Sequence, residues 1–414
     1  MRVLLITNYF PPHYLGGAEV VVYNTCHGLL QRGVDASVLM VNARMRRAGD
    51  VHRQVQDVPL HEVTFEPHWA ASPWLQVFDP RVYRQVRAEV RRLRPDLVHV
   101  HNLSGATLAP LVACRRLNVP VLLTLHDQWL LCPNNLLYRG DGRSCDPAQR
   151  PADCAACYRR YDFWAAVPRR RERFAALTRH VRFFLSPSQK LIDLHVAAGY
   201  DPARFRVLPN GIEPGRFQLP SSPLTRACVD GSDRFRTMLF AGALIEVKGV
   251  PTLLEALPLL TRHIERFRLV VAGAGDEPLR AALRRYDPAT VWLLGPLPFQ
   301  EMRTLYAAAD LTVVPSLSYE NAPMTIAESL MAGTPVLGSA IGGIPELVRE
   351  GETGYLFPPG DAAALAAQAI RHFARPARRR REMRRRCADF ARAHLTLDRY
   401  LERLLALYAE ALEG

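Results

Sequence analysis

Glu320 and Glu328 stand eight positions apart on either side of Pro323, where an apolar strand-like run gives way to helical periodicity. Pro323 suits the first turn of a helix running to about Met331, because its missing N–H would be unpaired there anyway. The amides of Met324 and Thr325 then point out of a helix N-terminus, which favours an anion by about 0.3–1 kcal/mol per charge interaction. A diphosphate fits such a terminus. Carboxylates accept paired hydroxyl hydrogen bonds well, so the two glutamates can address two polyhydroxyl parts of one long ligand without either being an acid or base. Taken alone, the pair reads equally as a capping acid and a surface residue.

Three further sets of residues could do chemistry. His126-Asp127 follows the apolar run Val121 to Leu125, which sets the imidazole at a strand's carboxyl end; His101 and Asn102 end the preceding run in the same way. Gly16-Gly17 follows the first strand and a Pro11-Pro12 turn, and adjacent glycines permit a close backbone approach to a ligand. Cys132, Cys145, Cys154 and Cys157 fall within 26 residues and end in a Cys-x2-Cys pair. That spacing permits a structural zinc, against reduced thiols or a redox-formed bridge, with an iron–sulfur cluster the weaker alternative.

The elements that must position these residues are strands alternating with helices. In the first half the apolar runs are Val3 to Thr7, Ala36 to Val41, Leu97 to His101, Val121 to Leu125 and Phe183 to Ser186. The second half repeats the rhythm at Thr237 to Ala241, Arg268 to Ala272, Val291 to Leu294, Leu311 to Pro315, Pro335 to Gly338 and Tyr355 to Phe357. Alternation of this kind predicts an α/β chain with two doubly wound, Rossmann-like parallel sheets facing each other across a cleft. At 414 residues two domains are the natural division. The turn-rich Pro209-Asn210-Gly211 suggests domains over 1–209 and 210–395, with 396–414 as a terminal helix.

The second half carries a longer pattern. The Glu-x7-Glu pair is followed by Ala332-Gly333-Thr334-Pro335-Val336, Gly342-Gly343 with Glu346, and Gly351-Glu352-Thr353-Gly354-Tyr355-Leu356. It is preceded by Phe240-Ala241-Gly242 through Lys248-Gly249, Ala272-Gly273-Ala274-Gly275, Leu294-Gly295 and Ala309-Asp310-Leu311. In order and spacing this resembles the retaining GT-B glycosyltransferases grouped as family 4. The resemblance implies that Glu320 contacts hydroxyls of the transferred sugar and that Glu328 contacts the nucleotide ribose. The backbone from Asn321 through Ala322, Pro323, Met324 and Thr325, with Gly242, would hold phosphate and sugar. Lys248, one of only two lysines in the chain, matches the lysine that neutralises the donor diphosphate. By the same resemblance the Gly16-Gly17 loop closes over the diphosphate, and His126 donates a hydrogen bond to the sugar near its anomeric centre. The terminal helix would pack back on the first domain. One departure is Ala243, where the family often has an arginine.

These roles imply transfer from a UDP, GDP or ADP sugar to a sugar or lipid-linked acceptor, with the diphosphate leaving on the face that the acceptor hydroxyl approaches. No catalytic cofactor is expected, since no Asp-x-Asp pair stands ready to hold a cation. Cell-surface polysaccharide or glycolipid assembly is the natural setting. A nucleotide-sugar epimerase on the same fold and a non-catalytic sugar-nucleotide-binding subunit are the alternatives.

Net charge is +13 and comes almost wholly from arginine, dense at Arg169 to Arg173 and Arg378 to Arg386. Such blocks attract anionic lipid headgroups. No zinc-finger, helix-turn-helix or RNA-binding motif accompanies them, which argues against nucleic acid. The first apolar run is too short for a signal peptide and no run is long enough to span a bilayer, so a cytoplasmic protein, with peripheral contact at the inner membrane face, is expected.

Overall fold

Short runs of β-branched and leucine residues, buried on both faces, become the central strands of two parallel sheets. The computed structural model describes residues 1–13, 16–45, 47–67, 73–139, 141–145, 170–217 and 235–413. Two compact units emerge, Met1–Pro209 with Tyr400–Gly414, and Asn210–Arg399.

The first unit holds β1 (Arg2–Thr7), β2 (Asp35–Asn42), β3 (Gly49–Val55), β4 (Val58–Thr64), β5 (Leu97–Val100), β6 (Val121–Thr124), β7 (Phe183–Ser186) and β8 (Phe205–Val207). Their order is β3-β4-β2-β1-β5-β6-β7-β8. Every pairing is parallel except β3 with β4. β3, β4 and β8 have no counterpart among the expected strands. β3 is a mostly exposed polar edge, and a strand with no buried face leaves no apolar run to read.

The second unit holds β9 (Arg236–Ala241), β10 (Phe267–Ala272), β11 (Val291–Gly295), β12 (Leu311–Val314), β13 (Val336–Ser339) and β14 (Gly354–Phe357). Their all-parallel order, β11-β10-β9-β12-β13-β14, reverses direction between β9 and β12. In the first sheet the reversal lies between β1 and β5. Ligands of doubly wound sheets sit beyond the carboxyl ends of strands at these switch points. Both reversals therefore mark where functional loops belong.

The helix Leu397–Glu413 returns to the first unit and buries Leu401, Leu404, Tyr408 and Ala411. Thr25 Oγ1 hydrogen-bonds the Tyr400 hydroxyl at 3.1 Å. The arginine blocks are partly structural. Arg170 is buried, lies 4.0 Å over the Phe174 ring and donates to the Leu130 carbonyl. Arg384 caps the carbonyls of Ala307 and Ala309. Arg378, Arg379, Arg381, Arg385 and Arg386 remain exposed on the helix Ala377–His394. Among the described residues no helix is long and apolar enough to cross a membrane.

Candidate active site

The loops that leave β9 and β12 are interlocked. Gly249 has φ +75°, and a Cβ there would lie 1.7 Å from the Pro315 carbonyl oxygen, so only glycine lets the two loops touch. The Leu317 amide donates to the Val247 carbonyl at 2.9 Å and ties them. This contact delivers Lys248 to Glu320: Lys248 Nζ donates to Glu320 Oε1 at 2.6 Å, and Ser316 Oγ donates to the same oxygen at 2.7 Å. The Glu320 carbonyl accepts the Gly343 amide at 2.8 Å, which fixes the loop from its other side.

Glu320 is largely enclosed, at 13% side-chain exposure, while Lys248 is open at 36%. With Lys248 this open to solvent, the pair contributes about 1 kcal/mol or less to stability. Its use is positional. The ammonium carries three donors, so it can keep Glu320 and still present protons to an incoming anion.

The helix Met324–Met331 begins beside this pair. Pro323 is its N-cap rather than its first helical residue, and no side chain caps the terminus. The amides of Met324 and Thr325 are therefore orphans by construction. Thr325 Oγ1 bonds the Ala241 carbonyl at 3.3 Å, fastening the helix start to the end of β9. Asn321 is buried and Ala322 half-buried on the approach. At Gly242 a Cβ would meet nothing nearer than the Phe240 ring at 3.9 Å, so the backbone there lies open. Ala243 follows it, and the departure noted in the sequence stands.

Glu328, five residues into the helix, is half-buried. Burial pushes its carboxyl up to about 7, against a hydrogen bond from Tyr306 that favours the ionised form. Tyr306, on the helix Phe299–Ala308, is fully buried and also bonds Thr325. Its phenol thus reaches both a helix-start residue and the carboxylate one turn on. Sequence reading missed Tyr306, which has no local signature in an ordinary amphipathic helix.

In the first unit, β5 and β6 end in a row of imidazoles. His99 bonds the Tyr408 hydroxyl through Nδ1 and Thr124 Oγ1 through Nε2, each at 2.7 Å. The His101 ring lies 4.0 Å from that of His99, and its Nδ1 stands 3.1 Å from His126 Nε2. Burial drives all three downward, His99 to about 3, His126 to about 4 and His101 well below its usual value. Each is a neutral ring at pH 7. A neutral imidazole carries one N–H, and the His101 contact engages one nitrogen of His126, leaving Nδ1 for a ligand. Asp127 is raised by burial, against hydrogen bonds from the Trp129 amide, Asn135 and Asn102. Gly17 is the N-cap of the helix Ala18–Gln31, and the Gly16 amide donates to buried Glu19 at 2.9 Å.

The structure thus joins Lys248, Glu320 and the Met324–Met331 helix start in one place, and His126, His101 and His99 in another. Of the four cysteines, Cys154 and Cys157 lie outside the described residues. Cys132 Sγ bonds Asn134 Oδ1 at 2.9 Å, and Cys145 is half-buried just after the small bridge Tyr138 to Ser144.

Comparison with known proteins follows this division. Residues 15–216 match the family described as Glycosyltransferase Family 4, and residues 235–375 match Glycosyl transferases group 1. A D-inositol 3-phosphate glycosyltransferase of Acidothermus cellulolyticus is 29% identical over 96% of this chain and 86% of its own length. The amylovoran biosynthesis glycosyltransferase AmsK of Erwinia amylovora is 32% identical over 42% of this chain and 44% of its own. Among solved structures, Anabaena HepE in complex with UDP-glucose superposes with TM-score 0.73 at 18% identity, covering 99% of this chain and all of that one. Sucrose-phosphate synthase from Thermosynechococcus elongatus gives 0.75 at 18% identity, covering 99% of each chain.

Proposed function

Since this chain belongs to glycosyltransferase family 4 and has the GT-B fold, we propose that it transfers a sugar from a nucleotide diphosphate to an acceptor hydroxyl with retention of anomeric configuration. The observation that carries this reading is the Lys248–Glu320 pair at 2.6 Å, beside an uncapped helix start at a topological switch point. The leaving diphosphate takes the ammonium of Lys248 and the amides of Met324 and Thr325. Glu320 accepts hydroxyls of the sugar, and Glu328 accepts those of the ribose. His126 donates its free N–H to the sugar near the anomeric centre.

On this account no carboxylate base stands at the anomeric carbon. The bond from that carbon to the leaving phosphate oxygen breaks, the acceptor oxygen bonds on the same face, and the departing phosphate takes the acceptor proton. The protein contributes position and a preorganised positive field. Family members generally need no catalytic cofactor. A structural zinc on Cys132, Cys145, Cys154 and Cys157 is a separate proposal, for which metal content of the purified protein is the test.

A UDP sugar is the first donor to try, because the structurally similar HepE was solved with UDP-glucose. For the acceptor, the six exposed arginines of the Ala377–His394 helix support a lipid-linked glycan at an anionic surface. A thermal-shift screen of UDP, GDP and ADP sugars identifies the donor, since a bound ligand raises stability in step with its affinity. NMR of the product's anomeric proton then reads the stereochemistry. Inversion would overturn the same-face mechanism. Sugar change without an acceptor would indicate an epimerase instead, and binding without transfer or hydrolysis a non-catalytic subunit.

A further inference from the structure

The antiparallel edge of the first sheet carries a group of side chains that the sugar chemistry does not use. His52 on β3 lies directly opposite His61 on β4, and Asp50 is opposite Val63. Residues two apart on a strand share a face, so Asp50, His52 and His61 project from one side of the hairpin. The two imidazoles stack with centroids 3.8 Å apart, and Asp50 Oδ1 is 2.8 Å from His61 Nε2. One ligand atom from each residue lies within 4.8 Å of the others. Donors on a zinc-like ion sit about 3.3 Å apart, given bonds near 2.0–2.1 Å, so small side-chain rotations complete the geometry.

A second observation lies behind these three. Glu89, on the helix Pro80–Leu93, is only 4% exposed and stands 3.1 Å from His61 Nδ1. Its other oxygen is held by Arg92 at 2.6 Å. Glu89 is thus held between the His61 ring and the Arg92 guanidinium. A buried carboxylate 3.1 Å from Nδ1, close but outside hydrogen-bond geometry, favours a proton on that nitrogen and leaves Nε2, which faces Asp50, to an ion. That is the arrangement by which metal-bound histidines are oriented.

We propose that Asp50, His52 and His61 form a binding site for a divalent late first-row transition ion of the zinc class, with Glu89 orienting His61. Two imidazoles and one carboxylate suit such ions, whereas magnesium and calcium select all-oxygen sets. Three protein ligands leave a position for water. The ion would staple the exposed edge strand to its neighbour and blunt an edge otherwise open to pairing. This site is independent of the proposed sugar transfer.

Cobalt(II) is the probe. The full chain, stripped with chelator, is titrated with Co2+ and followed by visible absorption. Expected is one saturable site with d–d bands of the nitrogen–oxygen type, lost in His52→Ala and in Asp50→Ala, both exposed positions whose truncation spares the core. Glu89→Gln should weaken it 10–100-fold. Any cobalt held by cysteines shows an additional sulfur-to-metal charge-transfer band, which these variants leave intact. Absence of the nitrogen–oxygen bands, or their persistence in His52→Ala, would overturn the proposal. His61 would then be an imidazolium shared between Asp50 and Glu89 and nothing more.

Discussion

The proposed recognition of a ribose by Glu328 requires an ionised carboxylate, and burial raises this one to about 7. If only the carboxylate accepts the ribose hydroxyls, apparent donor affinity follows the ionised fraction, which is about one-tenth at pH 6 and about nine-tenths at pH 8. Affinity should therefore rise about ninefold across that interval, equivalent to about 1.3 kcal/mol. Glu328→Gln should bind more weakly and show no such rise. Tyr306→Phe removes the hydrogen bond that favours the charged form, so the inflection should move to higher pH and affinity at pH 7 should drop. The assay is isothermal titration calorimetry from pH 6 to 8.5 with an intact nucleotide sugar, whose diesterified diphosphate does not titrate in this range. Repeating it in buffers of different ionisation enthalpy counts the proton that binding releases from Glu328. A wild-type profile as flat as that of Glu328→Gln would refute the reasoning, since it would leave the carboxylate without a part in binding.

Three other outcomes follow from the geometry. Lys248→Ala should lower kcat about 100- to 1000-fold in initial-rate assays at saturating donor, the usual loss for one preorganised charge-stabilising group. His99, held at about 3 against an ordinary 6.5, takes up its proton more readily when unfolded, so stability is lost as pH falls below 6.5, the loss reaching about 2 kcal/mol at pH 5. Glu328 has the opposite sign in the same window, so the readout is the difference in urea-denaturation slope against pH between the protein and His99→Gln. Gly249→Ala should destabilise by roughly 3 kcal/mol or more, combining strained backbone with a backbone collision. Gly33→Ala, at the same φ of +75° but in open space, should cost only about 1 kcal/mol by urea denaturation.

What could be read from the chain alone differs from element to element for definite reasons. β1, β9 and β12 announce themselves because central strands of parallel sheets are buried on both faces and must be continuous apolar runs. The loop from Ser316 to Glu328 is equally legible, since a strand end, a proline and a helix start lie within a dozen residues and a helix terminus is built from local backbone. β3 is not legible, because an edge strand exposed along most of its length carries no apolar pattern. Nor is Ser316's part in holding Glu320, since a serine beside a strand has many uses.

By itself the sequence determined two doubly wound sheets and the family to which their loops belong, because both are written in contiguous patterns that burial and helix chemistry impose locally. Only the tertiary structure decided which side chains meet. Lys248 and Glu320 are 72 residues apart, and His99 and Tyr408 are 309 apart. Glu89 reaches His61 from a different element, and Tyr306 reaches Glu328 in the same way. Such contacts set protonation states through desolvation and distant partners, and neither quantity has a period or spacing along the chain.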